Sequence, residues 1–454
     1  MLRHIRQHLF ANSSAGICCL WLFLLLGPAA LALGATTQDP VISYAEGKNH
    51  SIAVLFVGHG EPETLADWSE HHLFADGSSL GPSGETLGVP PDERDTIYAA
   101  AYEEIATAMS YQMKDMNGNG IKHELALTPQ GDVPASFTYP AFKGMVQMEM
   151  AQLGMSPHNT LVFSRINAMK TTPLAAFADF YWAMLDARPM IPDAVSQIKK
   201  RGHYSHVIVI PLFLSSDSTH TQEIREMVPT AMARNSLDAK IIFGKTFFEN
   251  DYVLNLHLTA IAGQVEQMRG RLPPEAANQD IGVVIAGHGD PFVLPYPEFG
   301  YEEGDIHSNL TATENTFARL LARRLPYESL LGVNEFRLPN VGMALEEMLK
   351  RNKSHILVVP AIFPTASFHS MWDIPMKVLK RPIKASEGYG SRAHESGTVI
   401  WYSPLGYGDS AAGASLIRRG LQFTLAQSLL EVAYEKPQAV PELARFFGVT
   451  ADER

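Results

Sequence analysis

One strand-and-loop unit occurs twice in this chain, and any fold it adopts has to place both copies. Ile52 to Val57 is an unbroken apolar run ending in Gly58-His59-Gly60-Glu61-Pro62, and Ile281 to Ala286 is a second, ending in Gly287-His288-Gly289-Asp290-Pro291. A further matched pair follows, in which Ser205-His206 opens Val207 to Ile210 before Pro211, and Ser354-His355 opens Ile356 to Val359 before Pro360. From each proline the step to the next marked histidine, His220 or His369, is nine residues. Strand-like Lys240 to Gly244 then leads into a helical stretch near Tyr252 to Met268, as Thr398 to Tyr402 leads into Ala411 to Tyr434. Continuous apolar runs preceded by helix-like segments, here Asp193 to Arg201 and Val341 to Lys353, predict parallel strands buried on both faces of an α/β sheet.

The repeat divides the chain into an N-terminal half at about 51–275 and a C-terminal half at about 276–440. The two marked histidines lie 161 residues apart in the first half and 81 in the second, so the first carries about 80 extra residues, most of them within 61–160. This insertion begins with a turn-rich stretch, Ala75 to Pro91, and continues as a helix-like segment, Arg94 to Lys114. It leaves directly from a strand end, which predicts a place at the mouth of a pocket. Asp115 to Gly120 matches the first half of a calcium loop, but Ala126 stands where the bidentate Glu belongs, so a helix ending in an Asn-Gly turn is the expected reading.

Composition removes several function classes. The 454 residues are 46% apolar and 19% charged, which suits two domains with full cores and argues against extended disorder. A formal charge of -12 makes nucleic acid and anionic membrane surfaces poor partners. Only Cys18 and Cys19 occur, so a disulfide framework, a cysteine zinc site and an iron-sulfur cluster are excluded from the body of the protein. Both cysteines fall in residues 1–35, which read as a signal peptide: Arg3 and Arg6, the apolar run Ile17 to Leu26, Gly27-Pro28, and small residues around Ala30-Leu31-Ala32. The expectation is an exported, periplasmic protein without stable membrane insertion after cleavage, the alternative being a tether through an uncleaved signal.

The chemistry is sought where open α/β sheets bind ligands, outside the carboxyl ends of their strands. His59 and His288 stand there between glycines, and His220 and His369 follow the second strand of each half, in loops with Ser215, Ser216 and Asp217 or with Thr365 and Ser367. Two neutral imidazoles converging from adjacent strands suit a borderline divalent metal such as cobalt, iron, nickel or zinc. A single Gly-His-Gly turn can be only a tight strand exit; recurrence of both elements in both halves favours the functional reading. His206 and His355 also recur, but each opens its strand, and a structural role is expected. No Gly-x-Ser-x-Gly elbow, phosphate loop or His-Glu-x-x-His helix occurs, and Gly58 and Gly287 stand where a histidine phosphatase needs Arg.

These residues resemble the class II chelatases, in particular the sirohydrochlorin cobaltochelatase and ferrochelatase group. The closest stretch is Ile356 to Pro375, where His369-Ser370-Met371-Trp372-Asp373-Ile374-Pro375 follows the family's His-x-x-x-Asp-Ile-Pro pattern. In the first half His220-Thr221-Gln222-Glu223-Ile224 is one residue shorter, and Val333 to Met348 is similar to the family's strand, proline and helix. The resemblance implies an α/β fold of two chelatase-like, flavodoxin-like parallel-sheet domains facing each other across a cleft. It implies insertion of a divalent metal (cobalt, iron or nickel) into sirohydrochlorin or a related tetrapyrrole, with no nucleotide.

In such a reaction His59, His220, His288 and His369 would bind the metal and accept protons from the pyrrole nitrogens, with Asp373 as a further metal residue. Glu61, Asp290 and Asp373 would relay protons or hold hydrated metal, or instead cap helices and orient the histidines. Pro375 is expected only to fix a turn. A pocket for a carboxylate-rich macrocycle should present cations; Arg165, Lys170, Arg225, Arg337 and Lys377 lie near the motifs, although solvated surface is the expectation for each. Either both halves work or one is reduced to binding, and the alternative for the whole chain is a non-catalytic metal or tetrapyrrole binding protein.

Overall fold

The computed structural model describes residues 39–43, 50–61, 157–185, 187–216, 218–289, 310–334 and 339–449. The signal peptide expected at 1–35, nearly all of the expected insertion with its Asp115–Gly120 stretch, and Asp217, Asp290 and Arg337 lie outside them. The first sheet contains β1 (Val41–Ser43), β2 (Ile52–Gly58), β3 (Asp179–Met184), β4 (His206–Pro211) and β5 (Lys240–Phe243), in the order β1-β3-β2-β4-β5. The second contains β6 (Ile281–Gly287), β7 (Glu328–Val333), β8 (His355–Pro360), β9 (Gly390–Ala393) and β10 (Val399–Tyr402), in the order β7-β6-β8-β10-β9. In each sheet four strands run parallel and one edge strand, β1 or β9, is antiparallel. The sheets are therefore parallel-dominant, as the sequence predicted, and each adds one antiparallel edge strand of three or four residues, too short a pattern to read.

The repeat is kept at residue level. Ile52 pairs with His206 and Val57 with Pro211, while Ile281 pairs with His355 and Ala286 with Pro360. All residues of β2 and β6 are buried, as continuous apolar strands between two covering layers should be. Taken in chain order, the four parallel strands of each half lie 2-1-3-4, so the chain reverses its direction of travel between β2 and β4 and between β6 and β8. That reversal opens a crevice at the carboxyl ends of those strands.

The helices are α1 (His158–Asn167), α2 (Ile191–Arg201), α3 (Thr219–Arg234), α4 (Asp251–Arg269), α5 (Leu310–Ala322), α6 (Val341–Lys350), α7 (Ile374–Leu379), α8 (Ala411–Glu435) and α9 (Pro441–Phe447). Side-chain caps fix several starts: Ser218 for α3, Asn250 for α4, Asn340 for α6 and Ser410 for α8. The outer face of each sheet has its own core, Val207 and Val209 with α2 and α3 in one half, Val284 and Val358 with α6 and α7 in the other. The inner faces share a single core that includes Phe56, Ile208, Ile285 and Val359 together with α4 and α8. Within it α4 and α8 pack against each other, and each also crosses over: α4 touches β8 and α8 touches β4. Among the described residues no helix is long and apolar enough to cross a membrane.

Candidate active-site cleft

Both crevices open onto one cleft of about 1130 Å³, part of it open to solvent, lined by residues of both halves. His59, His220, His288 and His369 all line it. The rings of His59 and His220 lie 4.7 Å apart, centre to centre, at 86°, and those of His288 and His369 lie 4.8 Å apart at 87°. His220 and His288 are 6.5 Å apart, so the two pairs meet across the middle of the molecule. Two imidazoles on adjacent corners of one ion, with metal–nitrogen bonds of about 2 Å, have ring centres roughly 4.5–5 Å apart. Both pairs have that separation. Among the described residues no three His, Cys, Asp or Glu side chains stand together as a metal-holding group, so the imidazoles are present in twos.

Local geometry explains the Gly-His-Gly turns. Gly60 and Gly289 have φ of +81° and +79°, a region that side chains disfavour, and a Cβ on Gly60 would lie 2.7 Å from that of Met184. The turn brings the following carbonyl to the ring, so His59 Nδ1 donates to Gly60 O at 2.5 Å and His288 Nδ1 donates to Gly289 O. Donation through Nδ1 makes Nε2 the lone-pair nitrogen, the form in which imidazole binds metal or accepts a proton.

The second histidines are not on loops as the sequence predicted. The Ser218 cap starts α3 early enough to put His220 in its first turn, and His369 opens a π-turn, His369–Asp373, that runs into α7. The π-turn absorbs the one extra residue of the second motif, so that Ile224 and Ile374, both fully buried, play the same part. In that alignment Glu223 matches Asp373. Glu223 Oε2 accepts from His220 Nδ1 at 3.1 Å, backing the ring with a carboxylate, whereas His369 Nδ1 has Asn334 Nδ2 at 3.1 Å. The side chain of Asp373 lies outside what the structure describes; Pro375 occupies the first turn of α7, where a proline is tolerated.

Three residues that the sequence reading missed shape the site. Glu314 is buried beneath Gly287 and accepts from the backbone N–H groups of His288 (2.6 Å) and Gly289 (3.0 Å), pinning that turn. Asn334 at the end of β7 reaches His369. His158, the first residue of α1, also lines the cleft, 6.3 Å from His59, and burial lowers its pKa to about 4. None had a motif to mark it. Their meaning depends on what the rest of the molecule brings to them.

The charged residues divide unevenly. Glu61 is buried, and its carboxylate accepts from the backbone N–H of Phe368, beside His369 in the other half. Arg165 corrects the surface expectation: its side chain is 12% exposed, lines the cleft, and donates to Asp409 of the second half at 2.7 Å. Lys377 is also buried and donates to the carbonyl of Asn334, behind His369. Lys170 and Arg225 are exposed as expected. His206 and His355 sit at the amino ends of β4 and β8, away from the cleft.

Two parallel-dominant α/β sheets with their crevices opening onto one cleft make a chelatase-like fold. The chain belongs to the ferrochelatase family, whose model matches residues 147–388, more than half its length, and at family level it is a metal chelatase. Among solved structures it is similar to the sirohydrochlorin chelatase SirB from Bacillus subtilis subspecies spizizenii in complex with cobalt, at 14% identity and a TM-score of 0.36 over 86% of this chain and 97% of that one. SirB from Bacillus subtilis with Fe3+ has 14% identity and a TM-score of 0.39, over 83% and 97%. A multi-domain protein from Deinococcus radiodurans, described as structurally similar to chelatases but with two additional novel domains, has 13% identity and a TM-score of 0.33; this chain covers 55% of its length. No curated protein sequence matches the chain.

Proposed function

We propose that the protein is an exported chelatase, working in the periplasm or tethered at its face, that inserts cobalt or iron into sirohydrochlorin or a related tetrapyrrole without ATP. The observation that carries this reading is the pairing of His59 with His220 and of His288 with His369 on one cleft. The incoming divalent ion is bound at Nε2 of a pair, and the macrocycle lies on apolar side chains of the cleft such as Phe213 and Phe363, which flank the two pairs. As the metal exchanges for two pyrrole protons, the opposite imidazoles accept them, and Glu223 stabilises the charge that His220 gains. In the sequence of the second motif Asp373 is the residue that matches Glu223, and we assign it as a further metal residue. Absence of a phosphate loop from the sequence supports independence from ATP.

Anaerobic incubation with Co²⁺, Fe²⁺ or Ni²⁺ and either sirohydrochlorin or protoporphyrin, followed by absorption spectroscopy, tests this reading. Metal insertion into sirohydrochlorin, unchanged by omission of ATP, is expected. A protein that binds metal but never alters the spectrum of either macrocycle is a binding protein of the same fold and not an enzyme.

A further inference from the structure

His158 differs from every other histidine of the cleft in being needed by nothing already described. Its half-buried ring lines the cleft; Nδ1 is engaged by Thr365 Oγ1 at 2.9 Å and Ala366 O at 3.3 Å, yet Nε2, shielded from solvent, has no hydrogen-bond partner. A buried nitrogen without a partner is costly and calls for a ligand to explain it. Its Nδ1 faces a backbone carbonyl, as the Nδ1 atoms of His59 and His288 do. That is the outer partner by which metal-ligating histidines are usually held. The His158 ring stands 6.3 Å from His59 at 89°. Two rings facing each other across one ion, with metal–nitrogen bonds of about 2 Å, have centres roughly 6.5 Å apart.

We propose that His158 is a third metal-ligating side chain of the first half, so that the incoming divalent ion is held there by the imidazoles of His59, His220 and His158. This rests on the reading of His59 and His220 as metal-binding residues. The third bond closes as the ion enters, by a turn of the ring about its Nδ1 anchor, which is why no three-residue group stands preformed among the described residues. Among the described residues the second half has no matching ring: Val162 lies against Gly58 as Glu314 lies against Gly287, and counting back four residues from each sets His158 against Leu310. The two halves therefore bind the ion differently, with three imidazoles in the first and two in the second.

The test uses the full chain carrying His288→Ala and His369→Ala, which leaves only the first-half site, titrated with Co²⁺ alone and followed by calorimetry and visible absorption. One Co²⁺ per chain is expected. Adding His158→Asn, which keeps an amide near the Nδ1 position for Ala366 and removes Nε2, should raise Kd at least tenfold and change the cobalt absorption band. Thermal melting without metal establishes that the variant folds; His158→Gln replaces it if it does not. A Kd within twofold of the parent and an unaltered band would overturn the third ligand, while metal insertion by the wild type would still leave the chelatase reading in place. Absence of any Co²⁺ binding in the double variant would overturn both the third ligand and the role of His59 and His220.

Discussion

At the residue scale, each of the four motif imidazoles has a partner at its Nδ1. His59 and His288 are aimed by the carbonyl of the glycine that follows, His220 by Glu223 and His369 through Asn334. Behind the cleft His257 is buried, its Nδ1 on the Tyr407 hydroxyl at 2.7 Å and its ring stacked on Phe247, and burial lowers its pKa to about 3. An unfolded histidine titrates near 6.5, so below that pH the unfolded chain takes up a proton that folded His257 refuses. Stability conferred by the neutral ring is thus complete above pH 6.5 and is lost as pH falls toward 3. Denaturant melts at pH 7, 6 and 5 should show His257→Gln flattening the acid slope of the wild type by about 1.4 kcal/mol per pH unit; an unchanged slope would contradict the burial of a neutral ring. The motif histidines were legible in the sequence because they recur at matched steps after apolar runs. Glu223 was legible in principle, once the extra residue of the second motif is placed before Ile374 and not after it. His158, Glu314 and Asn334 were not, because each acts on a group far away in the sequence.

At the element scale, sequence pattern was enough for β2, β4, β6 and β8, which are continuous apolar runs, and for α2, α4, α6 and α8. The predicted helix at Asp193 to Arg201 is α2, and the two strand-to-helix closings are β5 with α4 and β10 with α8. The strand β3, Asp-Phe-Tyr-Trp-Ala-Met, escaped because it opens on an Asp that is satisfied by His50 and Tyr204, contacts no local pattern foretells. The exchange of α4 and α8 between the sheets escaped for a similar reason, since amphipathic spacing shows that a face is buried and not against what. In α8 that face is Ile417, Leu421, Leu425, Leu429 and Val432, with Ile417 and Leu421 also lining the cleft. Leu429 is fully buried in the shared core, so Leu429→Ala should cost about 2–5 kcal/mol in chemical denaturation. Because that core belongs to both halves, tryptophan fluorescence and far-UV circular dichroism should show the loss as one shifted transition; two separated transitions would contradict a shared core.

At the scale of the whole molecule, two copies of one unit enclose a single cleft. Glu61 on Phe368, Arg165 on Asp409 and His158 on Thr365 tie the rim of one half to that of the other, within a few residues of the histidines. A formal charge of -12 favours divalent cations near such a protein, and its only two cysteines are Cys18 and Cys19. The central claim is that these histidine pairs transfer metal to a tetrapyrrole. It is tested most directly by the initial rate of anaerobic Co²⁺ insertion into sirohydrochlorin, read from the change in macrocycle absorption, for the wild type and for His59→Ala, His220→Ala, His288→Ala and His369→Ala. Insertion by the wild type and a loss of at least tenfold in the variants of one pair or both is the predicted result. A wild type without insertion, or four variants all as fast as the wild type, would contradict it.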